Sequence, residues 1–168
     1  MKKAYDPIKM ISQSRFRDYY KTWTSGDQTR LVNTMNRLIR ENSSYADPNN
    51  YGHLCNLITS LAMVLVLEGN GKTRQEAQDA VANAMYEFIQ PMIPSMQKLA
   101  SHGWFVGFLK FSMPIKFRHT LGYGMPEMTA KFCKVDDIMY SELPRAEFLY
   151  TQQIGNGGAM CDYTFRKK

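Results

Sequence analysis

Five residues in the last third of the chain carry side chains suited to chemistry: Cys133, the adjacent pair Asp136 and Asp137, Arg145 and Cys161. A thiol reacts as its thiolate, so a reactive cysteine needs a nearby base or cation. Arg118, His119 and Arg145 are the available partners. The same basic residues suit a substrate anion, since an arginine fork grips a carboxylate through two bonds. Asp136 or Asp137 has the carboxylate of a general base. Each also has an ordinary reading. Free cysteine packs as a small hydrophobe, Asp136 ahead of Ile138-Met139-Tyr140 suits a helix cap, and Arg145 suits a surface charge at the start of a strand.

Several other chemistries are excluded. The chain has no GxGxxG, Walker, HExxH or GxSxG pattern. The glycine-rich stretch GNGGAM precedes a strand pattern rather than a helix, so it is a turn and not a phosphate cradle. Cys55, Cys133 and Cys161 are widely spaced, without the close ligand pairs of a zinc site. No metal and no cofactor are expected. An odd cysteine count without CxxC fits a reducing cytoplasm. MKKAYDPIKM lacks the apolar core of a secretory signal, and the apolar run Leu54 to Leu67 falls short of the roughly 20 residues of a membrane span. The net charge of +6 is scattered, with a run only at Arg166-Lys167-Lys168. That distribution suits a small anion better than a nucleic acid. The expected partner is therefore a small-molecule substrate, with neither nucleic acid nor membrane. The abundance of Met and Phe would suit a homodimer face.

These side chains must be held by a fold that 168 residues can build as a single domain, 1–168. Hydrophobic residues make up 44% and charged residues 21%, ordinary for a globular protein. From 9 to 120 the apolar period is mainly helical; from 127 to 165 it is mainly that of strands. Ser25-Gly26-Asp27 marks a break. Leu31, Val32, Met35, Leu38 and Ile39 then form one apolar stripe. Leu54 to Leu65 predicts a central buried helix, stopped at Glu68-Gly69-Asn70-Gly71. Thr73 and Glu76 form a capping box for the next helix, whose apolar stripe is Ala77, Ala80, Val81, Ala84, Met85, Phe88, Ile89 and Met92. Pro91 and Pro94 break that helix, and Ser95 to His102 forms a further piece. Trp104, Phe105, Phe108 and Phe111 are dense enough for a core or pocket wall.

Glu127 to Val135 alternates like a strand, followed by one or two helical turns over Asp136 to Leu143. A second strand starts at Pro144, with Phe148 and Tyr150 on one face. Gly155 to Gly158 is a hairpin connection to a last strand, Ala159 to Phe165. Helices first and strands last predict an α+β fold, an N-terminal helical portion packed on a small C-terminal antiparallel sheet. Cys133 and Cys161 would then share that sheet.

The stretch from Leu121 to Phe165 resembles the L-2-amino-thiazoline-4-carboxylic acid hydrolase family. The residues that carry the likeness are Leu121-Gly122, Pro126-Glu127-Met128, Cys133, Asp136 or Asp137, Arg145, Thr151-Gln152-Gln153, Gly157-Gly158 and Cys161-Asp162-Tyr163-Thr164-Phe165. Met113 stands before Pro114 where members often carry a cysteine, and Thr164 stands where arginine is common. The resemblance implies hydrolysis of a carbon–nitrogen bond in a cyclic amidine, a thiazoline carboxylate opening to a carbamoyl-cysteine. It implies Asp136 or Asp137 as base, Arg145 as carboxylate holder, and Cys133 and Cys161 flanking or attacking the ring. The closing strand also resembles small-molecule sensor domains of the four-vinyl-reductase type, which implies a non-catalytic binding pocket instead. A third reading is a structural helix–sheet domain with a vestigial site, which the missing cysteine before Pro114 favours.

Overall fold

A computed structural model describes residues 5–42, 51–105, 107, 126–159 and 161–168. The fold is α+β, with helices first and a two-stranded antiparallel sheet at the C-terminal end. The chain divides into two compact units, Met1–Phe88 and Ile89–Lys168.

The first unit is helical. Helix α1 (Pro7–Gln13) starts where the Asp6 carboxylate accepts the Lys9 amide at 2.7 Å. A short α2 (Arg17–Lys21) follows. Helix α3 (Ser25–Glu41) is capped by Thr24, whose hydroxyl oxygen accepts the Asp27 amide. Ser25, Gly26 and Asp27 therefore form the first turn of α3 rather than a break, because the cap lies one residue earlier and Asp27 suits the positive end of the helix. Leu31, Met35 and Leu38 are buried along its stripe.

Helix α4 (Tyr51–Gly69) is the buried element that its all-round apolar surface predicts, with Cys55, Ala62, Met63 and Val64 fully enclosed. Its polar Asn56 is a tie: the side chain accepts the Arg15 amide at 2.8 Å. The helix stops in a Schellman turn. Gly71 takes φ 90°, its amide donates to Glu68, and the Lys72 amide donates to Leu67. Asn70 also donates to Asp27 at 2.9 Å, joining the end of α4 to the start of α3. Helix α5 (Arg74–Ile89) begins at the expected capping box, with the Thr73 amide donating to Glu76 at 2.8 Å and the Glu76 amide to Thr73 at 3.3 Å.

The second unit opens with a 3-10 turn at Gln90–Met92 and helix α6 (Ile93–Ala100), where Pro91 and Pro94 interrupt the run as their missing amide hydrogens require. Phe105 is buried, but Trp104 is 64% exposed and is not core. Phe108 and Phe111 lie outside the described residues.

The largest departure from expectation is Glu127 to Val135. It is not a strand but most of helix α7 (Pro126–Tyr140). Proline at the first position and Glu127 in the first turn are helix-start signals. The buried side chains Met128, Val135 and Met139, with Cys133 and Tyr140, keep helical spacing. The period-two pattern of Met128, Ala130 and Phe132 was too short to outweigh them.

Strands β1 (Ala146–Leu149) and β2 (Thr164–Lys167) pair with Ala146 opposite Lys167, Phe148 opposite Phe165 and Leu149 opposite Thr164. Both are shorter than the alternation suggests, and residues 150–163 join them in place of a tight hairpin. The reversal is a 3-10 turn at Ile154–Asn156, closed by Gly157 at φ 85°. Tyr140 of α7 covers the sheet, 5.5 Å from the Phe148 ring and 5.4 Å from Phe165. The helix that lies on the sheet is thus the segment expected to be part of it.

Candidate functional site

Helix α7 positions three of the expected residues. Cys133 is buried on the side that meets the 3-10 turn; Asp136 and Asp137 follow one turn later, inside the helix and not at its cap. Each carboxylate lies beside a tyrosine. Burial does most to raise both phenols; the charge on Asp136 adds to the rise at Tyr163, and the charge and a hydrogen bond of Asp137 add to it at Tyr150.

Cys161 comes from the connection into β2. Its sulfur accepts the Ile154 amide at 3.4 Å. On the next residue, Gly155, a Cβ would stand 2.9 Å from the Cys133 sulfur and 2.6 Å from the Ala130 Cα. The two thiols therefore meet at consecutive residues of one turn, Cys133 reaching it from α7 and Cys161 from the C-terminal segment. They are not neighbours on a sheet. Tyr163 completes the group, near enough to both sulfurs for the thiols and the phenol to shift one another's proton affinity.

Burial sets the protonation state. Desolvation pushes the Cys133 thiol up, against the opposing pull of the Gly155 amide, and the Cys161 charge adds to the rise. Burial likewise drives the Tyr163 phenol well above its ordinary range, helped by Cys161 and Asp136. The Cys133 thiol and the Tyr163 phenol are thereby both favoured in their neutral forms.

The scaffold around it is tied by Asp162. Its carboxylate accepts the Thr151 amide at 2.8 Å, the Gln152 amide at 2.9 Å and the Thr151 hydroxyl. Those bonds hold its pKa below the usual carboxylate range, the Thr151 hydroxyl contributing most. The Gln152 side chain accepts the Ala159 amide at 3.1 Å. Gln153 is 2% exposed; its oxygen accepts from Asn156 at 2.8 Å, while its Nε2 has no partner among the described residues.

An open groove of about 470 Å³ lies where α7 meets the turn, lined by Ala130, Lys134, Asp137, Ile138, Ser141, Gln153 and Asn156. It shares the helix and the turn with the thiols but not the thiols themselves.

Arg145 is exposed just before β1, and its carbonyl accepts the Lys168 amide at 3.1 Å. It sits at the end of the ladder away from Tyr150 and Tyr163. Five residues of extended chain separate it from Tyr150, roughly 16 Å, so it is not brought to the thiols. Arg118, His119, Met113 and Leu121-Gly122 lie outside the described residues. Among the described residues, no three His, Cys, Asp or Glu side chains gather to hold a metal ion, and no helix is long and apolar enough to cross a membrane.

Sequence reasoning missed Tyr163, Gly155 and Asp162 as parts of this arrangement. Tyr163 was visible as the aromatic two residues after Cys161. The need for glycine at position 155 had no local signal, because it comes from the close approach of α7. No family model, curated protein or solved structure matches the chain.

Proposed function

We propose that this chain is a hydrolase that adds water to the amidine carbon of a cyclic amidine of the thiazoline-carboxylate type. The observation that carries the reading is the meeting of Cys133 and Cys161 at the Ile154–Gly155 turn, with Tyr163 and Asp136 beside them. These include residues on which the family likeness rests, and they come together from separate elements.

The chemistry needs a base for water, a proton for the leaving atom and a hold on the substrate carboxylate. Asp136 supplies the base. Tyr163 and Cys133, kept neutral by burial, supply protons. If Cys133 attacks covalently, it must first lose its proton, and the rate then climbs with pH above the ordinary thiol range. Arg145 is poorly placed for the carboxylate. Lys134, directly after Cys133 and lining the groove, takes that role with Asn156. Loss of the ring nitrogen gives S-carbamoyl-cysteine by carbon–nitrogen cleavage; loss of the ring sulfur gives N-carbamoyl-cysteine and a free thiol. Product chromatography with a thiol assay tells the two apart.

One observation favours a second reading, a non-catalytic small-molecule-binding domain of the four-vinyl-reductase type. The thiols are only 6% and 5% exposed and Cys133 is kept neutral, as in an apolar pocket wall. Incubation with 2-amino-thiazoline-4-carboxylate separates them: the hydrolase forms product, whereas the binding domain retains the ligand unchanged.

A further inference from the structure

We propose that Cys133 and Cys161 form a reversible disulfide site, in which a peroxide-class oxidant converts the two thiols into a cross-link between α7 and the segment leading into β2. Both cysteines are free and buried. Their sulfurs contact consecutive residues of the 3-10 turn, Ile154 for Cys161 and Gly155 for Cys133. Consecutive Cα atoms are about 3.8 Å apart, so the turn gathers the two sulfurs into one place, where the Cys161 thiol acts electrostatically on Cys133. The third thiol, Cys55, belongs to the other unit and lies against Tyr51 on α4.

The reaction balances with peroxide alone. One thiolate attacks a peroxide oxygen, the O–O bond breaks, and a sulfenic acid forms with release of hydroxide. The second sulfur then displaces hydroxide from the sulfenic sulfur and the S–S bond forms. Two thiols and one hydrogen peroxide give one disulfide and two waters, the sulfurs being oxidised and the peroxide reduced. Because burial raises the Cys133 thiol, thiolate is scarce at neutral pH and the cross-link forms faster as pH rises. The inference stands apart from the hydrolase reading, because it is read by mass and not by turnover.

The test treats the full chain with hydrogen peroxide at about pH 7 and about pH 9, then denatures, alkylates and weighs it. The expected result is a monomer lighter by about 2 Da, with alkylatable thiols falling from three to one and dithiothreitol restoring them. Trypsin should yield peptides 132–134 and 146–166 joined. Cys55→Ser should still form the link, while Cys133→Ser and Cys161→Ser should not. The peptide map of the unaltered chain keeps the result independent of how those variants fold. Mass gains in steps of about 16 Da on single cysteines, linked dimers, or a link that includes Cys55 would overturn the proposal.

Discussion

Gly155 has no room for a side chain. A methyl group there would lie 2.6 Å from the Ala130 Cα and 2.9 Å from the Cys133 sulfur, and the nearer contact is backbone that cannot swing away. Gly155→Ala should therefore destabilise the second unit by about 1–3 kcal/mol, the range for overpacking, and should raise the reactivity of Cys133 toward alkylating agents as α7 is pushed off the turn. Denaturant titration and timed alkylation check both. Cys133 also gives the fold an alkaline weakness. Its folded pKa is raised, so the stability it contributes is full below the ordinary thiol range and is lost as pH rises through the higher folded value. The denaturation midpoint should fall on the alkaline side, and less so in Cys133→Ala.

Among the elements, the connection from β1 to β2 depends on Asp162 and the sheet on its aromatic pair. The folded pKa of Asp162 is depressed, so its contribution is present above the ordinary carboxyl range and disappears as pH falls through the lower folded value. Asp162→Asn should melt earlier at neutral pH, and its melting temperature should depend less on pH on the acid side; circular dichroism at about pH 7 and about pH 3 reads this. Phe165, 2% exposed, edge-on to Tyr140 and tilted against Phe148, should cost about 3–5 kcal/mol on truncation to alanine. The legibility of the elements follows the same physics. Helices α3, α4 and α5 were readable because their stripes are long and their caps, above all Thr73 and Glu76, are local. Helix α7 was misread because three alternating apolar residues imitate a strand, while its real partners, the turn at 154–156 and the rings of Phe148 and Phe165, are distant in sequence. The strands were placed in the right region but drawn too long, since a carboxylate at Asp162, and not a ladder, continues the pairing.

At the scale of the whole molecule, the sequence placed the candidate chemistry in the C-terminal unit, and Cys133, Cys161 and Asp136 do converge there. It could not show how. Pairing a helix thiol with a loop thiol depends on the Gly155 contact, and Arg145 looked suitable only until the ladder register put it at the far end. The first unit supplies a helical core with its own caps and ties. The most direct measurement is turnover of 2-amino-thiazoline-4-carboxylate by the full chain beside Cys133→Ser, Cys161→Ser and Asp136→Asn, each verified as folded. The account predicts carbamoyl-cysteine from the unaltered chain and losses of at least about 100-fold in each variant. Ligand bound but never converted by the unaltered chain, or full turnover in all three variants, would contradict it.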